Sequence, residues 1–187
     1  MKNIAFEELE NIDEEIGKII DDADYIKTGK IINDIEWFYD FKSDFAKEYL
    51  ESHREYIDIV LNFAYKNFSS DYEEYDEEYG EEMKDEKWKQ VKAEFFLDGI
   101  LGHLISEDTN LYIEYSISLS NYAANVLDNM IDIDVYCPDY YAFNNEEYKD
   151  YKEEVDEEYK EYKEKVDELY TQLNEIQRKL YNFKKNA

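Results

Sequence analysis

The chain has 187 residues, of which 49 are acidic and 21 basic, so its net charge is −28. This charge repels nucleic acid and anionic membranes, which excludes direct binding to either and makes a cationic protein surface the natural partner. The single cysteine, Cys137, excludes an internal disulfide. A lone thiol is typical of a reducing compartment.

The sequence also predicts where the protein works. The first residues, MKNIAFEELE, lack the basic and then apolar pattern of a secretory signal. The longest uncharged stretch of note, from Tyr115 to Leu127, is too short to span a bilayer. We therefore expect a cytoplasmic protein of a bacterial host cell. The many lysines and isoleucines are typical of an AT-rich bacterial or phage genome.

Apolar residues at steps of three and four predict helices over most of the first hundred residues. The first runs from about residue 4 to 24, with Leu9, Ile12, Ile16, Ile19, Ile20 and Ala23 on its buried face. A second stretch covers about 30–68 and can break into two helices near Ser52. A third begins with the acidic sequence DYEEYDEEYGEE at residue 71 and continues to about residue 104.

Residues 111–119 and 131–137 change to a period of two, which predicts two strands. In the first, Leu111, Ile113, Tyr115, Ile117 and Leu119 alternate with Tyr112, Glu114, Ser116 and Ser118. In the second, Ile131, Ile133 and Val135 alternate with Asp132, Asp134 and Tyr136, before Pro138 ends the run. The predicted fold class is α+β, a predominantly α-helical bundle with this small two-stranded β element.

A long coiled-coil-like helix is predicted from about 145 to 183. One heptad series comprises Tyr148, Val155, Tyr162, Leu169, Ile176 and Phe183, and a second comprises Tyr159, Val166, Leu173 and Leu180, with Lys152 its polar member. Such a seam needs a partner, which is either the helices at 4–104 or a second copy in a homodimer. The predicted division is an acidic helical domain at 1–143 and an amphipathic helix at 144–187.

The sequence predicts no metal site and no cofactor. His53, His103 and Cys137 are the only soft ligands and none are paired at the spacing of a zinc site. The acidic run lacks the alternation of an EF-hand loop, and the chain has no glycine-rich phosphate loop and no serine-hydrolase signature. Together these absences favour a protein that is not an enzyme.

One segment, ISLSNYAANVLDNMIDIDVYC, resembles the core of minimal nucleotidyltransferases. In that family a Gly-Ser turn grips a phosphate and an Asp-hydrophobic-Asp pair holds the metal ions. Here Leu119-Ser120 stands in place of Gly-Ser, and Asp132 and Asp134 stand in place of the pair. The resemblance implies a degenerate minimal nucleotidyltransferase. The alternative is that the two aspartates form the solvated face of a half-buried strand.

The densest charge lies between residues 71 and 86, where ten carboxylates stand with one lysine. As a helix of about 24 Å, this segment has a charge density comparable with the roughly fourteen phosphates of duplex DNA of the same length. Carboxylates can accept the arginine forks that normally bind phosphate. The predicted partner-binding residues are these carboxylates, Asp71, Glu73, Glu74, Asp76, Glu77, Glu78, Glu81, Glu82, Asp85 and Glu86.

Three tyrosines, Tyr72, Tyr75 and Tyr79, share one face of the same predicted helix. They belong to the predicted interface, because tyrosine offers a flat contact area with a polar tip. The alternative is that they pack inward while the carboxylates form the solvated face. A second acidic segment, 146–168, has twelve acids and five lysines, and basic residues then dominate the C-terminal tip.

In size, charge and helical acidity, the whole chain resembles the acidic DNA-mimic inhibitors of phages and mobile elements, which are anti-CRISPR and anti-restriction proteins. No motif is shared. The resemblance implies a non-enzymatic inhibitor that occupies the cationic DNA-binding groove of a host defence nuclease, such as a Cas nuclease or a restriction enzyme. The alternative of another class is an acidic immunity or adaptor protein that neutralises a basic toxin.

Overall fold

The computed structural model describes residues 2–28, 35–69, 71, 86–132, 136–137 and 149–186. The regular elements of this part of the chain are all α-helices. They are α1 (Lys2–Thr28), α2 (Ile35–Ser52), α3 (Tyr56–Asn67), α4 (Glu86–Glu107), α5 (Thr109–Asp128) and α6 (Lys149–Asn186).

The helices belong to two compact units. The first unit combines Met1–Asn33 with Tyr112–Ala187, and the second is Asp34–Leu111. In the first unit α6 packs along α1, and α5 contacts both of these helices. In the second unit α4 packs against α2 and α3. The predicted boundary between residues 143 and 144 lies outside the described residues.

The predicted first helix is confirmed, since all six of its predicted core positions are buried in α1. The predicted break near Ser52 is also confirmed. The Ser52 hydroxyl donates to the Glu48 carbonyl at the end of α2, and residues 53–55 form the turn before α3. The second unit then closes around apolar side chains that include Phe45, Leu50 and Leu97.

The predicted two-stranded β element is wrong. Residues 111–119 lie inside α5, and the four described residues of 131–137, which are 131, 132, 136 and 137, are not in a strand. Asp108 starts α5, because its Oδ1 accepts hydrogen bonds from the backbone N–H groups of Asn110 (2.9 Å) and Leu111 (3.3 Å). An aspartate that accepts from these two positions is a strong helix N-cap. The fold of the described residues is therefore all-α.

The alternation that suggested a strand is a property of a helix buried on more than one side. Tyr112, Ser116 and Ser120 follow one another at four-residue steps and are 4%, 0% and 1% exposed. Residues at this spacing share one helical face. Their hydroxyl groups are buried together with the apolar positions, so polarity does not mark the solvent side of this segment.

The heptad seam of the C-terminal helix is confirmed. Seven of its described members are buried, namely Val155, Tyr162, Val166, Leu169, Leu173, Ile176 and Leu180, and the other three, Lys152, Tyr159 and Phe183, are half-buried. Because α6 packs on α1 within one chain, the seam already has a partner. The homodimer stays a prediction, but an unpartnered seam no longer supports it. None of the described helices combines the length and the apolarity needed to cross a bilayer.

Candidate interaction surface

The sequence-predicted surface at 71–86 falls almost entirely outside the described residues. Asp71 is described and exposed, and Glu86 is the first residue of α4. The other eight carboxylates, together with Tyr72, Tyr75 and Tyr79, lie outside the described residues. The structure therefore does not bring these residues together or separate them, and their role as a contact surface stays a prediction.

A second acidic surface lies on α6, where the side chains of residues 151–168 of the predicted 146–168 segment are described. Between residues 151 and 168, nine carboxylates and four lysines give a net charge of −5, and all nine carboxylates are exposed. Their regularity follows from the heptad pattern, because a helix that buries one seam must present its remaining positions to solvent. Five of them form a stripe at steps of three and four: Glu153, Glu157, Glu161, Glu164 and Glu168.

The charge density of this α6 surface can be compared with that of DNA. From Glu153 to Glu168 the helix rises about 22 Å. Duplex DNA of that length carries roughly 13 phosphates. The nine carboxylates of α6 are about two-thirds of that number, and three exposed lysines lie among them. The α6 surface therefore has a lower density of negative charge along the helix than the predicted 71–86 surface.

The first unit carries most of the described negative charge. Its described side chains comprise 22 acids and 10 bases, against 11 acids and 7 bases in the second unit. On α1, Glu7, Glu8, Glu14 and Asp22 are among the exposed acids. The acidic surface of the first unit therefore includes α1 as well as α6.

The basic C-terminal tip makes ion pairs within the chain. The Lys184 ammonium lies 2.7 Å from a carboxylate oxygen of Glu114, and the Lys179 ammonium lies 3.9 Å from Glu15. These pairs join the end of α6 to α5 and α1. Both lysines therefore have acidic partners within the same chain.

Tyrosines on α6 pack inward beneath the carboxylates. Tyr162 is 8% exposed, and its ring lies 4.7 Å from that of Tyr136 and 6.1 Å from that of Tyr159. The Tyr159 hydroxyl donates to the Ile131 carbonyl, and the Tyr170 hydroxyl donates to the Asp128 carboxylate. These tyrosines hold the acidic helix on the rest of the first unit. Tyr151, at 52% exposed, and Tyr181, at 59% exposed, are the two described tyrosines of α6 that face solvent.

A partly buried carboxyl group, that of Asp13, lies between α1 and α5. The Ser116 hydroxyl donates to Oδ1 of Asp13 at 2.7 Å, and the Tyr112 hydroxyl also hydrogen-bonds to Asp13. Burial raises the pKa of the Asp13 carboxyl to about 6, the two hydrogen bonds oppose this shift, and the negative charge of Glu10 adds to it. Burial also raises the pKa of Tyr115, and the charge of Asp13 raises it further.

This cluster of Asp13, Tyr112 and Ser116 is suited to structure rather than to catalysis. Ser116 is fully buried, so its hydroxyl cannot reach a substrate although it contacts a carboxylate. The open groove beside Tyr112, about 540 Å³ in volume, is lined by Glu7, Glu10, Asn11 and Glu14. Among the described residues, no group of three or more histidine, cysteine or acidic side chains converges to hold a metal ion.

The described residues do not have the structure that the resemblance to minimal nucleotidyltransferases implies. Its core requires a strand, a short helix and a second strand, but α5 is a continuous helix through residues 111–128. Ser120 is buried and donates to the carbonyl of Ile117 at 2.7 Å, so it does not stand in a phosphate-gripping turn. Asp132 is exposed, and Asp134 lies outside the described residues.

Sequence reasoning missed the Asp13 cluster. A signal for it exists, because Asp13 interrupts the apolar series of α1 directly after Ile12, and the hydroxyl residues of 112–120 recur at four-residue steps. The period-two alternation of 111–119 concealed that helical spacing.

Comparison with known proteins gives no relative for the chain. No protein-family model matches the sequence, and neither a curated protein nor a solved structure is significantly similar to it.

Proposed function

We propose that this protein is a non-enzymatic inhibitor that binds the cationic groove of a nucleic-acid-binding defence nuclease and blocks its access to DNA. The observation that carries the proposal is the ordered array of exposed carboxylates on α6, from Glu153 to Glu168. A groove built to bind phosphates presents arginine and lysine side chains, and carboxylates can pair with these through charge-assisted hydrogen bonds.

The energetics favour an interface of many charges over a single anchor. An isolated exposed ion pair contributes only about 0–1 kcal/mol. Several carboxylates that contact one cationic groove together contribute more binding free energy, because the charge patterns of the two partners match. The opposite charges also steer the two proteins together and raise the association rate. The inward-packed tyrosines support this geometry, since they fix the helix that carries the carboxylates.

The proposed contact surface has two parts. The segment 71–86 has the higher charge density in the sequence, with ten carboxylates and one lysine, and remains the primary proposed surface. The α6 surface is the proposed secondary one.

An immunity protein that neutralises a basic toxin remains the second candidate, because the same carboxylates would serve it. Capture of the partner separates the two candidates. The purified chain is used as bait in a bacterial host lysate at low salt, and the captured protein is then tested for duplex DNA binding. A DNA-binding nuclease that is released by salt supports the inhibitor. A salt-released partner with no affinity for nucleic acid supports the immunity protein instead.

A further inference from the structure

Among the described residues, basic side chains are concentrated on the face between α3 and the first half of α4. One open groove there, about 330 Å³ in volume, is lined by Arg54, Ile57, Asp58, Lys87 and Gln90. A second groove, about 420 Å³, contains Asp58 again together with Lys89, Lys92, Trp88, Tyr65, Leu61 and Asn62. Because Asp58 lines both, the two grooves adjoin, and we call them together the α3–α4 groove.

The cations of this groove are concentrated beyond what the composition provides. Four of the seven described bases of the second unit line it, against one of that unit's eleven described acids. Lys92 is only 3% exposed, so one of these ammonium groups is buried. We therefore assign phosphate binding to the exposed cations of the groove and not to Lys92, because a charge at this depth is stable only when it is compensated within the protein.

The remaining lining residues suit a ligand with a planar ring and hydroxyl groups. Trp88 and Tyr65 provide aromatic surface on α4 and α3, and Asn62 and Gln90 provide amide groups. The Gln90 amide donates to Glu94 at 2.9 Å, which holds its side chain in place. Asp58 is the single carboxylate among the described lining residues, and it lies where the two grooves meet. A carboxylate can accept hydrogen bonds from sugar hydroxyls.

We infer that the α3–α4 groove binds a mononucleotide. The phosphate meets Arg54 and Lys87, since an arginine fork and a lysine ammonium both bind phosphate oxygens. The sugar hydroxyls meet Asp58, and the base lies against the ring of Tyr65, which is 56% exposed, beside the largely buried Trp88. Bases stack on aromatic rings without regard to sequence. Each groove lies in the volume range of small-molecule sites.

The net charge of the chain limits this site to small ligands. A nucleic acid polymer brings many phosphates into the negative field of the whole protein, whereas a mononucleotide brings one to a few. The same field weakens the binding of any anion, so we expect a dissociation constant on the order of 0.1–1 mM. This inference is independent of the proposed inhibitory function, because it concerns other residues in the second unit.

Isothermal titration calorimetry of the full chain tests the inference, with adenosine monophosphate, adenosine and inorganic phosphate as probes. We expect the nucleotide to bind at least tenfold more tightly than either adenosine or phosphate alone. The variant Arg54→Glu/Lys87→Glu should lose at least tenfold in nucleotide affinity. The matched control is Lys47→Glu/Lys66→Glu, which has the same charge change at two exposed lysines of the second unit that do not line the groove.

The control separates a site from a general charge effect, and circular dichroism confirms that each variant keeps its helices. An equal loss in both variants would overturn the inference, because the affinity would then follow net charge alone. If inorganic phosphate and the nucleotide bind with equal affinity, the groove recognises only the anion, and the inference that it binds a mononucleotide is rejected. Absence of nucleotide binding by the wild-type chain at millimolar concentration would also reject it.

Discussion

The hydroxyl of Ser116 donates a 2.7 Å hydrogen bond to the carboxyl group of Asp13, a residue 103 positions earlier in the chain. This contact joins α1 to α5 inside the first unit. It places an ionisable group where burial raises its pKa to about 6. The stability of the first unit is therefore linked to pH through one named residue.

The first prediction concerns Asp13→Asn. The pKa of Asp13 in the folded chain lies above its ordinary value of 3.8, so its contribution to stability is full below about pH 3.8 and is lost as pH rises through about 6. Asparagine stays neutral and can still accept from Ser116. At pH 7.5 we expect the variant to be more stable by at most about 3 kcal/mol, since one pKa unit corresponds to about 1.36 kcal/mol and asparagine offers one acceptor oxygen to the two hydroxyls of Ser116 and Tyr112.

Urea denaturation of both chains at several pH values measures this effect. The difference in unfolding free energy should be small near pH 4, should grow between about pH 4 and 6, and should level off above about pH 6.5. The repulsion among the other carboxylates also changes with pH. Because it is the same in both chains, it cancels when the unfolding free energy of the wild type is subtracted from that of the variant. A variant that is equally stable or less stable than the wild type at pH 7.5 would contradict the prediction. It would show that the hydrogen bonds to the Asp13 carboxylate offset the cost of burying its charge.

A second prediction concerns Gly99 in α4. A Cβ atom built at this position has no neighbour within 4 Å, and the residue is exposed. Glycine inside a helix is less favourable than alanine by about 1 kcal/mol. Gly99→Ala should therefore raise the unfolding free energy by about 0.5–1 kcal/mol. A loss of stability in thermal or urea unfolding would mean that another surface approaches this position closely.

The third prediction tests whether the heptad seam is held within one chain. Leu173 is 1% exposed on the seam, and truncation of such a leucine to alanine costs about 2–5 kcal/mol. Tyr181→Ala is the control, because Tyr181 lies on the same helix and is 59% exposed. We expect the loss for Leu173→Ala to be the same at micromolar and at tenfold higher protein concentration. A loss that depends on concentration would place the seam between two copies.

The sequence predicted the helices whose apolar positions recur at helical steps. The core of α1 and the seam of α6 were predictable because each buries one face and exposes the others, so burial and polarity coincide. The segment 111–119 was not predictable in this way. Tyr112 and Ser116 are buried polar residues that are satisfied by Asp13 from a distant helix, and no local pattern reveals such a partner.

The sequence revealed part of one candidate surface and nothing of the other. The acidity of 146–168 is visible in the sequence, but its exposure on one helix depends on the intrachain packing of α6 against α1. The α3–α4 groove was not visible, because Arg54 and Lys87 are 33 positions apart and come together only when α3 packs on α4.

The fourth prediction compares the two proposed acidic surfaces in an assay of inhibition. Reversal of Glu73, Glu74, Glu77 and Glu78 to lysine should abolish inhibition of the partner nuclease, and reversal of Glu157, Glu161 and Glu164 on α6 should weaken it about tenfold. The control is Glu48→Lys/Glu51→Lys/Glu55→Lys, three exposed acids of the second unit. Inhibition that survives the reversal at 73–78 would remove that segment from the contact surface.

Competition with DNA is the most direct test of the central claim, that the carboxylates occupy the DNA-binding groove of the partner. The complex of this protein with its captured partner is titrated with duplex DNA, and fluorescence anisotropy follows a label on the DNA. The account predicts mutually exclusive binding, with an affinity of the protein for its partner that falls at least tenfold between about 50 and 500 mM salt. A ternary complex in which DNA and this protein bind the partner together would contradict the account.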